Sequence, residues 1–105
     1  IMSLIHVTSK NFEKALQAAP GVAVVDFFAT WCGPCKMLGL VLEKFDDENI
    51  VSILKLDVDE AKDVAEEYKV FTIPTLIIFE NGKEIKRKVG YQSLDELRKW
   101  VNDEE

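Results

Sequence analysis

Apolar and polar positions along this chain follow two different periods, and the changes between them predict the order of its elements. Near-continuous apolar runs and shorter extended runs predict strands at 4–8, 22–29, 50–58, 75–80 and 83–89. Apolar residues spaced three and four apart predict four helices. These helices run from 8 or 9 to about 19, from 32 to about 47, from 59 to 68, and from 93 onward.

Residues at the element boundaries support these limits. Side chains suited to a helix N-cap precede three of the helices. They are Thr8 or Ser9, Asp59, and Ser93 with Glu96 three residues further on as a capping box. Asn81-Gly82 is typical of a type I′ hairpin turn between the last two strands. The predicted apolar face of the second helix consists of Met37, Leu38, Val41, Leu42 and Phe45.

The order of the elements predicts the fold class. Strands and helices alternate in the first half, which favours parallel strands joined by right-handed crossovers. The second half adds an antiparallel hairpin and a last helix. We therefore predict an α/β protein with a single domain over residues 1–105, in which one mixed central β-sheet of about five strands is flanked by four helices.

Charge and composition narrow the possible functions. Apolar residues make up 48% of the 105 residues and the net charge is −6, so we expect neither nucleic-acid nor anionic-membrane binding. The chain has no apolar run near the roughly 18 residues that span a membrane. Cations gather on the last strand, where we expect them to protect a sheet edge rather than bind nucleic acid. They are Lys83, Lys86, Arg87 and Lys88.

The N-terminal residues bear on the cellular location of the protein. Ile1 precedes Met2, and the segment 1–7 lacks the basic region of a secretory signal. We therefore expect Met2 to be the native start and the protein to be cytoplasmic, with a trimmed targeting peptide as the alternative.

Two cysteines, Cys32 and Cys35, are the main chemical signal. Two are too few for a disulfide-rich scaffold, and a bridge across so short a loop stabilises a fold little. The spacing indicates redox chemistry or half of a metal site. A zinc site needs four ligands, and the single histidine, His6, is distant in sequence, so we expect no metal.

The position of the pair favours redox chemistry. Cys32 lies where a strand gives way to a helix, and the unpaired N–H groups and dipole of a helix start stabilise a thiolate. The thiolate is the attacking species in disulfide exchange. Residues three apart share a helix face, so the sulfur of Cys35 can reach bonding distance. Pro34 is tolerated in a first turn, and Lys36 adds positive charge.

Two charged residues interrupt predicted buried strands. Asp26 stands between the apolar runs 22–25 and 27–29, where burial raises a carboxyl pKa and suits it to proton transfer near neutral pH. The alternative is a structural acid paired with Lys55, which similarly interrupts the third strand. For Lys55, the structural and functional roles can be one contact.

With these residues in place, the chain resembles the thioredoxin family along essentially its whole length. The matching pieces are Val24-Val25-Asp26-Phe27, the segment 31–37, Lys55 and Asp57, Ile73-Pro74-Thr75, Asn81-Gly82 and Val89-Gly90. The resemblance implies the thioredoxin fold and a thiol–disulfide oxidoreductase, a general protein-disulfide reductase that works through a mixed disulfide. It implies no cofactor beyond the reversible disulfide, a monomer, and thioredoxin reductase and oxidised proteins as partners.

The resemblance also implies roles for individual residues. Cys32 corresponds to the attacking nucleophile and Cys35 to the resolving thiol. Asp26 corresponds to the proton acceptor or donor for Cys35, and Lys55 to its charge partner. The implied partner groove consists of Trp31, Gly33, Pro34, Ile73, Pro74, Gly90 and Tyr91, with a cis peptide bond before Pro74.

Two positions depart from the family pattern. Leu40 stands where the family usually has proline, so we predict a straighter active-site helix than in relatives with that proline. Gly39 before it weakens the helix by about 1 kcal/mol relative to alanine. Phe28 stands where many relatives have tryptophan, which removes an indole donor beside the site.

Two other functions are compatible with the same pattern. One is a thiol oxidant or isomerase on this fold, although isomerases usually carry histidine where Pro34 stands. The other is a non-catalytic binding subunit that uses the groove as a docking surface.

Overall fold

The computed structural model describes residues 4–105, so the expectation about Met2 lies outside the described residues. The elements follow the predicted order of five strands and four helices. They are β1 (Leu4–Val7), α1 (Phe12–Ala18), β2 (Val22–Phe28), α2 (Gly33–Asp46), β3 (Ser52–Asp57), α3 (Lys62–Glu67), β4 (Thr75–Glu80), β5 (Lys83–Val89) and α4 (Leu94–Val101).

The strands form one mixed sheet in the order β1-β3-β2-β4-β5, which confirms the predicted fold class. Strands β1 and β2 both run parallel to β3, whereas β4 is antiparallel to β2 and to β5. Strand β2 is therefore the centre of the sheet, paired on both sides. Its register places Asp26 opposite Lys55 of β3.

Helices cover both faces of the sheet because successive side chains of a strand point to opposite sides. On one face, β2 and β4 pack against α1 and α3. We call this the aromatic face, because four neighbouring rings dominate it, with centroids 5.2–6.4 Å apart. The rings are those of Phe12, Phe27, Tyr68 and Phe79.

The opposite face packs against α2 and α4, and we call it the site face. Helix α2 contributes Leu38, Leu42 and Phe45 to its apolar core, and α4 contributes Leu97 and Trp100. All five are at most 4% exposed. The helices that carry the predicted chemistry are thus anchored by ordinary apolar packing.

The first helix begins later than predicted. Asn11, rather than Thr8 or Ser9, is the N-cap of α1. Its Oδ1 accepts a hydrogen bond from the Thr8 N–H at 2.7 Å, and the Thr8 carbonyl accepts one from the Phe12 N–H at 3.0 Å. This turn takes up residues 8–11, so the helix starts only at Phe12.

The predicted cap of the third helix is also wrong. The N-cap of α3 is Ala61, whose N–H donates to the Asp57 carbonyl at 2.9 Å. The Asp59 carboxylate instead accepts a hydrogen bond from the Trp31 indole at 2.8 Å. The capping box of α4 is confirmed, with both Ser93 and Glu96 bonded as predicted.

Helix α2 runs without a break through Leu40, and its straightness relative to proline-containing relatives stays a prediction. The prediction that Met37 belongs to its apolar face is wrong, because this residue is 55% exposed. Met37 lies about 100° around the helix from Leu38, which turns it to solvent. The buried positions of α2 are Cys35, Leu38, Leu42 and Phe45.

The hairpin and the edge follow the sequence pattern. Asn81 and Gly82 both have positive φ, 54° and 81°, as a type I′ turn requires. Strand β5 is an edge strand, as β1 is at the opposite side, and its Lys88 pairs with Glu105 at 2.9 Å. Among the described helices, none is long and apolar enough to cross a membrane.

Candidate active site

The two cysteines lie where the central strand feeds into α2. Cys32 is the N-cap of this helix, and Cys35 is in its first turn. The two are joined by a disulfide, with Cα atoms 5.2 Å apart. Gly33 and Pro34 fill the positions between them, where a missing N–H costs nothing because first-turn donors have no partner in the helix.

The helix start supplies a backbone N–H donor to the first sulfur. The Cys35 N–H donates to the Cys32 Sγ at 3.2 Å. Together with the positive end of the helix dipole, such donors stabilise negative charge on that sulfur once the disulfide is reduced. The bonded pair leaves little exposed surface, 6% for Cys32 and 2% for Cys35. The two cysteines therefore differ by helix position more than by exposure.

On the neighbouring strands β2 and β3, Asp26 and Lys55 form a buried ion pair. They face each other in the β2–β3 register, and the Lys55 Nζ lies 3.0 Å from the Asp26 Oδ2. The Asp26 side chain is fully buried, and the Lys55 side chain is 11% exposed. Asp26 shares the orientation of Val24, two residues earlier, and so points to the site face.

Burial dominates the acidity of this carboxyl group. Loss of solvation raises the pKa of Asp26 above its ordinary value of 3.8. The Lys55 ammonium opposes the shift, and the charge of His6 on β1 opposes it further. An Asp with a raised pKa can hold a proton closer to neutral pH than an exposed one.

A cleft of about 370 Å³ is bordered by both Lys55 and Cys35. It opens between the end of β2 and the outer side of α2. Its walls are Phe28, Ala29, Thr30, Cys35, Lys36, Gly39, Leu40, Glu43 and Lys55. The Lys55 Nζ also lies 4.4 Å from the centre of the Phe28 ring, so the ammonium is held between a carboxylate and an aromatic face.

An exposed rim surrounds the disulfide on the other side. Trp31 is 70% exposed, and Ile73 packs half-buried against the cluster that contains both cysteines. The bond between Ile73 and Pro74 is cis, as the resemblance implies. The Gly90 N–H donates to the Pro74 carbonyl at 2.8 Å, which brings Tyr91 to the same loop region. Ile73 thus adjoins the cysteine cluster, and the Gly90–Pro74 hydrogen bond joins the end of β5 to the cis-proline loop.

Two neighbours of this rim were not singled out from the sequence. Asp59 holds the Trp31 indole, and its position after a strand indicated only a helix cap. Phe71 is 86% exposed two residues before Ile73. It stands between the third helix and the fourth strand, outside any periodic pattern, so the sequence carried no signal for it. Within residues 4–105 no cluster of His, Cys, Asp and Glu has the makings of a metal site.

Comparisons with known proteins agree with this geometry. The thioredoxin family model matches residues 3–103. Thioredoxin from Staphylococcus haemolyticus is 46% identical over 98 residues, which cover 91% of this chain and 92% of that protein. Thioredoxin from Staphylococcus saprophyticus is 46% identical over 102 residues, covering 95% and 96%.

Solved structures give the same answer. Thioredoxin from Malassezia sympodialis superposes with a TM-score of 0.85 at 36% identity, covering 99% of this chain and 92% of that one. A thioredoxin variant from Halobacterium salinarum gives a TM-score of 0.89 at 31% identity, covering 96% and 89%. From these matches and from the disulfide at the start of α2, we conclude that the chain belongs to the thioredoxin family.

Proposed function

We propose that the protein is a general protein-disulfide reductase in which Cys32 attacks the substrate and Cys35 completes the reaction. As a thioredoxin with a bonded cysteine pair, it is a thiol–disulfide oxidoreductase. The observation that carries the assignment of roles is the placement of Cys32 as N-cap of α2, with Lys55, the ion-pair partner of buried Asp26, bordering the same cleft as Cys35.

In the first step, the Cys32 thiolate attacks one sulfur of a substrate disulfide. A bond forms between the Cys32 Sγ and that sulfur, and the other substrate sulfur leaves as a thiolate that takes a proton from solvent. The helix start favours this step because it stabilises the thiolate that attacks.

In the second step, Cys35 loses its proton and attacks the Cys32 sulfur. Ionised Asp26 accepts that proton. The positive charge of Lys55 raises the fraction of molecules in which Asp26 is ionised. The Cys32–Cys35 disulfide forms, and the second substrate thiolate leaves, so the substrate gains two electrons. Attack within a held pair is fast because the two sulfurs are already close together.

The rim around the disulfide is the proposed partner groove, with Trp31, Gly33, Pro34, Ile73, Pro74, Gly90 and Tyr91 as its residues. An extended segment of an oxidised protein lies beside the cis-proline loop while its disulfide is attacked. Thioredoxin reductase then returns two electrons and two protons to the Cys32–Cys35 disulfide. This cycle uses no metal or organic cofactor bound to the chain.

The proposed function also implies a cellular location and an oligomeric state. We assign the protein to the cytoplasm, where a reductase supply keeps the dithiol reduced. Residues 1–105 act as one domain and one monomer, and neither nucleic acid nor a membrane takes part.

Trapping tests the assignment of roles. Cys35→Ser blocks only the second step, so it accumulates covalent complexes with oxidised proteins. These complexes appear on non-reducing gels and dissolve in dithiothreitol. Cys32→Ser is the matched control, with the same atom exchanged three residues away, and it traps far fewer partners. Equal trapping by both variants would contradict the assignment.

The redox potential separates a reductant from an oxidant or isomerase. Equilibration of the Cys32–Cys35 pair with glutathione measures it, and a tenfold change in the equilibrium constant corresponds to about 30 mV. We expect a potential of about −270 mV, which is the known value for thioredoxin and is carried over through family membership alone. A potential above about −180 mV would favour the oxidant or isomerase.

A further inference from the structure

The Lys55 ammonium occupies space that a side chain at position 39 would need. A Cβ atom built on Gly39 would lie 3.3 Å from the Lys55 Nζ, closer than such atoms ordinarily approach. Gly33, the other glycine of α2, offers a contrast, because a Cβ there would meet nothing within 4 Å. The tight approach therefore belongs to position 39 and is no general property of this helix.

The ammonium is also confined on its other sides. The Asp26 Oδ2 lies 3.0 Å from it, and the Phe28 ring centre lies 4.4 Å from it. A group pressed from the Gly39 side cannot move closer to the carboxylate without an unfavourably short contact. The open direction is outward into the cleft, which Lys55 and Gly39 both line.

We propose that Gly39 is a positioning residue for the proton-transfer step, because its missing side chain lets Lys55 approach Asp26. The inference rests on the role proposed above for Asp26. Gly39 touches neither substrate nor sulfur in this scheme and acts only through the ammonium. A methyl group at this position moves the Nζ outward and weakens the ion pair.

The charges around Asp26 fix the direction of the effect. Lys55 on β3 and His6 on β1 both favour the ionised carboxylate. From α2, Cys35 exchanges a proton with it, and Lys36 and Glu43 border the cleft with opposite charges. Strand β4 places Leu76 opposite Asp26. Displacement of the Lys55 charge therefore raises the pKa of Asp26, and the second step then needs a higher pH.

The expected size follows from the distance dependence of the ion pair. The contact requires the Lys55 Nζ to move by only a few tenths of an ångström. An outward shift of about 0.3 Å from a 3.0 Å pair raises the pKa of Asp26 by about 0.4 unit at an effective dielectric constant near 20. Helix propensity makes the opposite prediction for stability, because alanine is a better helix former than glycine. Gly39→Ala should therefore keep or raise the thermal midpoint while it impairs proton transfer.

The test compares Gly39→Ala with Lys44→Ala, an exposed position of the same helix outside the cleft. Two quantities are measured for each: the Asp26 carboxyl pKa by carbon-13 NMR, and the pH dependence of the second step in single turnover. Gly39→Ala should raise the pKa of Asp26 and move the acidic limb of the profile upward by about 0.4 unit. Lys44→Ala should leave both unchanged.

The Lys55→Met background tests the route of the effect. If Gly39 acts through the ammonium, Gly39→Ala adds no further shift once Lys55 is gone. A full additional shift in that background overturns the inference. An unchanged Asp26 pKa in the single variant Gly39→Ala also overturns it.

The role of Asp26 fails by a different observation. If Asp26→Asn leaves the pH profile of the second step unchanged, Asp26 is not the proton acceptor and Gly39 positions nothing for that step. The NMR titration of Gly39→Ala still reports whether the glycine sets the Lys55–Asp26 distance. The two failures are thus distinguished by the variant that has no effect: Gly39→Ala on the pKa of Asp26, or Asp26→Asn on the pH profile.

Discussion

The two faces of the central sheet use the same strand for different purposes. On the aromatic face, Phe27 of β2 is fully buried, and its ring lies tilted at 54° to that of Tyr68. On the site face, the residue before it, Asp26, is equally buried but carries a carboxyl group. One step along the strand thus separates a packing residue from an ionisable one.

This difference shows which face stabilises the folded state and which face contains a destabilising buried group. Buried rings contribute favourable transfer and packing free energy. A buried carboxyl group is unfavourable unless it is paired, and its pairing with Lys55 offsets only part of that cost. The aromatic face therefore stabilises a sheet whose other face holds a buried ionisable group.

The largest expected effect is the loss of activity caused by a substitution on the site face. Cys32→Ser should reduce dithiothreitol-driven reduction of insulin to the uncatalysed rate, because the attacking sulfur is absent. Insulin precipitation followed by turbidity measures this. Wild-type activity in Cys32→Ser would show that the chemistry does not depend on the helix-start sulfur.

The next effect is loss of stability on the aromatic face. Phe79→Ala should lower the free energy of unfolding by about 3–5 kcal/mol, because it removes a fully buried ring. Urea titration measures this change, and activity per folded molecule should stay the same. Phe71→Ala is the matched control, since that ring is 86% exposed and its loss should cost less than about 0.5 kcal/mol.

Asp26→Asn should slow the resolution step and raise the free energy of unfolding. Resolution by Cys35 should slow about ten- to a hundredfold near neutral pH, because the base is gone. Stability should rise by roughly 1–3 kcal/mol at pH 7, because a buried charge is removed while Lys55 still borders the cleft.

The stability gain of Asp26→Asn should depend on pH in a defined sense. The native pKa of Asp26 lies above its ordinary value of 3.8, so the native state binds more protons than the unfolded state between those two values. Wild type therefore loses stability as pH rises through this window. Urea titrations should show no gain for the variant below pH 3.8 and a growing gain above it. A constant gain at every pH would contradict this origin.

The smallest effect tests whether the outer helix of the site face matters to the chemistry. Ser93→Ala removes the capping box of α4 and should lower the free energy of unfolding by about 1 kcal/mol. The insulin reduction rate of the folded protein should not change. A loss of rate beyond the loss of folded protein would mean that α4 positions the site directly.

Sequence patterns predicted best what depends on local chemistry. The type I′ turn predicted for Asn81-Gly82 is confirmed by positive φ at both residues. The capping box predicted for Ser93 and Glu96 is confirmed by both of its hydrogen bonds. The position of the cysteines at the start of α2 followed from the switch between strand and helix periods.

Features that depend on competition between partners were harder to predict. Asp59 suited a helix cap, but the Trp31 indole, 28 positions earlier, takes its carboxylate. Thr8 suited a cap, but the Asn11 side chain closes a turn on it first. The approach of Lys55 to Gly39 depends on how α2 packs on β3, which no local pattern contains.

The two tryptophans described above provide independent optical reporters. Trp31 sits in water beside the disulfide, whereas Trp100 is only 4% exposed under the site face. Emission from an indole shifts to longer wavelength in a polar medium, so each ring contributes a distinguishable band. A partner that covers the rim should shift mainly the red band, and global unfolding should shift mainly the blue band. One fluorescence spectrum can thus separate docking from denaturation without any added label.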